Sequence, residues 1–78
     1  MPTPTELLDR LLQQRVELHL KDQRVVSGRL LGSDLHMNLV LDDAEERTAE
    51  LTRRLGRVVV RGSTVVSLDA PTGTPKPR

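Results

Sequence analysis

The chain has 78 residues, a formal net charge of +1, no cysteine and no aromatic side chain. This length leaves room for one domain, and the composition excludes disulfides and thiolate metal sites. The near-zero charge means that any nucleic-acid role must rest on a local site rather than on a general basic surface.

A domain this small buries only about 60% of its unfolded-chain surface, so the missing stabilisation is expected from a second subunit. The N-terminal segment is too charged for a signal-peptide core. No apolar run approaches the ~20 residues of a membrane helix. The expectation is a soluble, cytoplasmic protein with no membrane partner and no cofactor. Two histidines, His19 and His36, lack partners at ligand spacing, so no metal site is expected. Ten of the twelve basic residues are arginine, which compositional bias largely accounts for. Arginine nevertheless suits planar, bidentate and stacking contacts.

In chain order, "TPTE" at Thr3–Glu6 predicts a helix start. Thr3 can cap, Pro4 fits the first helical position, and Glu6 can reach back as a capping-box carboxylate. Leu7, Leu8, Leu11 and Leu12 then share one helical face, expected to pack on the protein's own sheet. After Gln14 the period changes to two. "RVELHL" places Val16, Leu18 and Leu20 on one side and Glu17 and His19 on the other, with His19 expected as a surface residue. "KDQ" is a polar turn. "RVVSGRLLGS" is a longer strand whose Gly28 and Gly32 permit a sharp bend.

A third strand, "MNLVLDDAEE", runs into an acidic end expected to be solvated or to meet another subunit. Strict alternation puts Asp42 and Asp43 on opposite faces, which argues against a shared ion. "ERTAEL" is a polar connection. "RRLGRVVVRGSTVVSLD" holds two Val-rich strands split by "RGS". Both are β-branched segments that would aggregate if left as open edges, so pairing with a neighbouring copy in closed cyclic symmetry is expected. The tail from Pro71, "PTGTPKPR", has no residue to bury and is expected to be disordered. The predicted class is mainly β: an N-terminal helix and a strongly bent five-stranded antiparallel sheet forming a small open barrel over residues 1–70, with a tail over 71–78.

"DLHMN" at Asp34–Asn38 sets a histidine and an asparagine two residues apart beside an aspartate. Taken singly, these are ordinary loop residues, and Arg61-Gly62 is an ordinary tight turn. Together they carry a chemistry. With no Phe, Tyr or Trp, only histidine rings and arginine planes can stack on bases, as His36 and Arg61 could. The Asn38 amide offers a donor beside an acceptor, as uracil offers an acceptor beside a donor. Cytosine has the reverse order, so a flipped amide would match it instead. Discrimination therefore needs a lock on the amide, and Asp34 is the nearest candidate, accepting from its nitrogen.

"VELHLKDQRVVSGRLLGSDLHMNLVLDDAEE" resembles the first motif of Sm-like proteins, and "LGRVVVRGSTVVSL" resembles their second. The likeness covers about residues 5–69. The short link between the motifs is most similar to the archaeal branch. The resemblance implies the Sm fold and a homo-oligomeric ring, often of seven subunits, acting as an RNA chaperone or ribonucleoprotein scaffold. It implies uridine-rich single-stranded RNA as the partner, with RNA-processing proteins as further candidates. By the same resemblance, the loops at Asp34–Asn38 and Arg61–Ser63 form one nucleotide pocket near a central pore. There His36 stacks, Asn38 reads the base edge and Arg61 covers the other face, with Asp34, Gly62 and Ser63 among the RNA-binding residues. The chain departs from many relatives at Ser33, where they carry an aromatic residue, and at Ser63, where they carry Asp or Asn.

Three other readings compete with this one. A structural ring that assembles proteins would bind oligo-U and oligo-C alike. A monomeric barrel binding single-stranded DNA would differ in solution mass. An enzyme lacks support: no Ser–His–Asp or Cys–His order, phosphate-cradling loop or convincing carboxylate pair stands in the sequence.

Overall fold

A computed structural model describes residues 3–70; the expected disorder of the tail falls outside the described residues. Helix α1 spans Pro4–Asp9 and opens with the expected capping box. The Thr3 hydroxyl accepts from the Glu6 N–H at 3.2 Å, and the Thr3 N–H donates to the Glu6 carboxylate at 2.7 Å. The helix is shorter than the leucine stripe. Gln13 takes a left-handed φ of 70° and donates its N–H to the Leu30 carbonyl at 2.7 Å, turning the chain into the sheet. Leu8 is therefore buried and Leu11 packs against the core, while Leu7 and Leu12 stay exposed.

Five strands follow: β1 Arg15–Leu20, β2 Val25–Ser33, β3 Leu39–Arg47, β4 Thr52–Val60 and β5 Val65–Asp69. Each pairing is antiparallel, in the order β4-β3-β2-β1-β5. β4 and β5 are consecutive in the chain yet stand at opposite edges. Only Arg61 and a 3-10 turn, Gly62–Thr64, join them. So short a link requires the sheet to curl until its edges approach, without a hydrogen-bonded ladder between them. This is the expected open barrel.

The curl is concentrated where β2 crosses β3. A Cβ on Gly28 would lie 2.9 Å from the Asp42 carbonyl oxygen and 3.2 Å from the Ala44 Cα. Only a residue without a side chain permits that approach. Opposite it, the β3 register shifts on both flanks, and Asp43 takes a φ of 49°. The extra residue of a bulge adds twist to the strand. The interior is filled by Val16, Leu18, Leu20, Val26, Leu30, Leu39, Leu41, Ala44 and Val60 beneath Leu8. The period-two residues of β1 all face inward, as the alternation predicts.

The acidic run differs from its expectation. The bulge breaks the alternation at Asp43, so both aspartates reach one guanidinium. Arg29 donates to Asp42 at 2.9 Å and lies 3.9 Å from Asp43, while Arg57 approaches Asp42 at 3.5 Å. The strand end is solvated only in part: Asp43 and Arg47 are exposed and Glu45 half-buried, but Glu46 is buried. Arg24 donates to one of its oxygens, and Arg53 approaches the other with two nitrogens, at 3.1 and 3.2 Å. The Arg24 hydrogen bond, followed by the Arg53 charge, holds its carboxyl below the usual range. Several arginines thus hold the chain's own carboxylates across β2, β3 and β4.

Leu18, fully buried at the centre of β1, tests the core. Leu18→Ala should cost about 2–5 kcal/mol in denaturant unfolding. A loss below 1 kcal/mol would mean that the core has another centre.

Candidate nucleic-acid interface

Between β2 and β3, Asp34–Asn38 forms a tight loop closed by the Asp34 N–H donating to the Asn38 carbonyl at 3.2 Å. The Met37 N–H donates to the Asp34 carbonyl at 3.0 Å, and Met37 itself takes a φ of 64°. Asp34 organises this loop with both carboxylate oxygens. Oδ1 accepts from the N–H groups of His36 at 2.9 Å and Asn38 at 3.0 Å. Oδ2 accepts from the Asn38 Nδ2 at 3.0 Å. The Asn38 amide, then its N–H and that of His36, hold the Asp34 carboxyl below its ordinary value.

The second loop packs directly on the first. Its Gly62 N–H donates to the Asn38 Oδ1 at 3.1 Å. The Asn38 amide is thus gripped at both ends, nitrogen to carboxylate and oxygen to backbone N–H. Flipping it would set nitrogen against N–H and oxygen against carboxylate, so its orientation is fixed by chemistry. One amide hydrogen and one lone pair remain for a ligand. The lock at Asp34 was foreseeable from sequence. The lock at Gly62 was not, because a backbone donor leaves no residue-type signal.

Gly62 is glycine because the loops touch. A Cβ there would lie 2.5 Å from the Met37 carbonyl oxygen and 2.6 Å from that of His36. Arg61 precedes it, exposed, and its carbonyl accepts from the Thr64 N–H at 3.0 Å and hydroxyl at 2.7 Å. Those bonds fix the turn and leave the guanidinium outside it. The His36 ring is exposed and the Ser63 hydroxyl lies at the surface, neither with a side-chain hydrogen bond among the described residues. The fold therefore gathers Asp34, His36, Asn38, Arg61, Gly62 and Ser63 on two adjoining loops. Two elements are held rigidly, the amide and the turn. Two flat cationic or aromatic groups project beside them.

The depressed value at Asp34 fixes the sign of the pH dependence. Its ionised form contributes stability that is complete above its unfolded-state value and lost as pH falls through the lower folded-state value. The loop should hold through mild acid and loosen only in strong acid. Amide exchange at His36 and Asn38 should stay slow at pH 5, and Asp34→Ala should make both amides exchange at nearly unprotected rates. Continued protection in that variant would remove Asp34 from its organising role.

Comparison with known proteins agrees with this architecture. The LSM domain model matches residues 6–70. An snRNP Sm-like protein of Archaeoglobus fulgidus is 50% identical over 66 residues, covering 83% of this chain and 86% of that protein. Among solved structures, the Pyrococcus abyssii Sm protein in complex with a uridine heptamer superposes with a TM-score of 0.81 at 36% identity, covering 88% of this chain and 99% of that one. The P. aerophilum SmAP1 heptamer superposes at 0.83 with 30% identity, covering 97% and 99%. With its helix, curled sheet and both motifs in place, the chain belongs to the LSM family and is an Sm-like protein of the archaeal type.

Proposed function

We propose that this protein forms a closed homo-oligomeric ring, with seven subunits, that binds uridine-rich single-stranded RNA through one pocket per subunit. The observation that carries the reading is the doubly held Asn38 amide beside the exposed His36 ring and Arg61 guanidinium. Single-stranded RNA is bound by stacking splayed bases and bonding their edges. His36 and Arg61 stack on opposite faces of one base. Each such contact is worth about 1–3 kcal/mol and tolerates any base. Discrimination falls to Asn38. Its free amide hydrogen meets the uracil O4, and its free lone pair accepts from N3–H. Cytosine presents an amino donor and a bare N3, so both contacts become repulsive with an amide that cannot turn. Gly62 and Ser63 stand beside Arg61 on the second loop of the pocket.

The ring is supported by the two open sheet edges. Val59 on β4 and Val66 on β5 are both about two-thirds exposed. Such β-branched edges require a partner. β4 of one copy and β5 of the next can supply it to each other head to tail, and a rotation that closes makes a ring. The heptamer among the structures similar to this chain supports that closure, and the uridine heptamer bound to another supports the ligand. On this reading the ring acts as an RNA chaperone or ribonucleoprotein scaffold in the cytoplasm and meets RNA-processing proteins. Among the described residues, no helix is long and apolar enough to cross a membrane.

Native mass spectrometry should give seven times the chain mass. Val59→Arg should dissociate the assembly or misfold the chain. A stable folded monomer of the parent would sink the ring.

RNA binding is tested by titrating labelled oligo-U and oligo-C. The parent should prefer oligo-U, with affinity rising steeply with length as further pockets engage within one complex. The salt dependence should be shallow, because a chain of net charge +1 releases few counterions. His36→Ala should weaken all sequences alike. Asn38→Ala should narrow the gap between oligo-U and oligo-C. Arg61→Ala should weaken binding most, losing a plane and a charge together. Equal affinity of the parent for both oligomers would remove the edge-reading role. A ring that binds neither would be a structural ring instead.

A further inference from the structure

The first strand carries a second constellation, remote in sequence from the RNA pocket. Glu17 and His19 stand two apart on β1 and so share a face, turned away from the core residues Val16, Leu18 and Leu20. β5 runs antiparallel beside β1, and its register sets Asp69 directly opposite Glu17. Two carboxylates in that relation repel. His19 stands between them: its Nε2 is 3.1 Å from the Asp69 Oδ2 and 3.7 Å from the Glu17 Oε1. One donor atom from each of the three residues falls within a 4.8 Å cluster.

We infer that Glu17, His19 and Asp69 form a binding site for a borderline divalent cation of the Zn2+ class, joining β1 to the edge strand β5. Metal bonds of about 2.0–2.2 Å hold neighbouring ligand atoms roughly 3.0–3.5 Å apart. The His19–Asp69 separation already has that length, and the His19–Glu17 separation exceeds it by a small side-chain rotation. One imidazole nitrogen with two carboxylate oxygens selects Zn2+ and its neighbours over Mg2+, which is bound by oxygen ligands and gives up its waters reluctantly. Three protein ligands leave the remaining positions to water. The site is therefore an exchangeable one at the surface, not a structural core. Arg47 approaches the other Glu17 oxygen, Oε2, at 3.9 Å, which leaves Oε1 for the ion. A cation here would also relieve the repulsion between the facing carboxylates. The ligand pattern escapes a motif search because Asp69 lies fifty residues beyond His19. The inference does not rest on the RNA reading, since none of the three residues belongs to the two pocket loops.

The test uses the full chain, stripped with chelator and dialysed. Titration with ZnCl2 in a calorimeter should give saturable binding of one ion per chain, and Zn2+ should raise the unfolding midpoint by mass action. Mg2+ at the same concentration should do neither. His19→Gln and Asp69→Asn, both at exposed or half-exposed positions and checked by circular dichroism, should abolish the Zn2+ effects. In the parent, Co2+ should shift the His19 ring resonances in the proton spectrum, a readout that needs no variant to fold. Absence of saturable heat, binding that survives His19→Gln, or Co2+ shifts confined to His36 would each overturn the site.

Discussion

The fold depends on one close approach, the Gly28 backbone against the bulged segment of β3. No side chain fits there, with a would-be Cβ at 2.9 Å from the Asp42 carbonyl oxygen and 3.1 Å from the Leu41 Cβ. A flat sheet of these strands would cover the core on one face only, and the connection from Val60 to Val65 could not span its width. Bending at Gly28 lets a single sheet wrap its own apolar face around Leu18, Leu30 and Leu41, none of which retains solvent exposure. A core without aromatic residues is filled instead by branched aliphatic side chains, which tile so small an interior without polar atoms to satisfy.

The pocket follows from the pairing of β3 with β4. Val60 at the end of β4 pairs with Leu39 at the start of β3, so the turn after β4 lies beside the loop before β3 and the Gly62 N–H meets the Asn38 amide oxygen. A second glycine contact, at Gly62, then fixes how near the loops can come. The two approaches act separately: the first sets the curvature of the sheet, and the second sets the spacing of two loops that the β3–β4 ladder already places side by side. The groups that would meet a base, His36 and Arg61, carry none of this structural duty. They remain outside the network that positions them, as a stacking surface requires. The charged residues divide in a comparable way. Glu46, Asp42 and their arginines tie neighbouring strands to one another, whereas Glu17, His19 and Asp69 turn their ligand atoms toward each other at the surface.

Much of this was legible before the structure. Thr3 and Glu6 wrote the helix start, because a capping box is completed within four residues. Alternation along Val16–Leu20 wrote the strand and its inner face, because side chains of a strand alternate whatever lies beyond it. Asp34 and Asn38 are near enough in the chain for the carboxylate–amide contact to follow from loop chemistry. The reading of Asp42 and Asp43 failed for a reason of the same kind: alternation ends at a bulge, and the bulge is set by Gly28 across the sheet, not by residues beside it. Leu7 and Leu12 shared the predicted apolar stripe, yet the helix ends at Asp9 because the following turn is tied to Leu30 on β2.

What the sequence by itself determined was therefore local: elements, their inner faces, the self-contained Asp34 loop, and the composition that made histidine and arginine the available stacking groups. Its two motifs also named the family, because residue types at fixed spacing survive as text. Only the tertiary structure decided which loops meet, that the Asn38 amide is held at both ends, that Glu46 is buried between Arg24 and Arg53, and that Asp69 stands across from Glu17. Each of these contacts joins neighbouring strands through the register of the sheet. Register is fixed by core packing and by backbone donors, which are alike at nearly every residue and so leave no mark in the order of side chains.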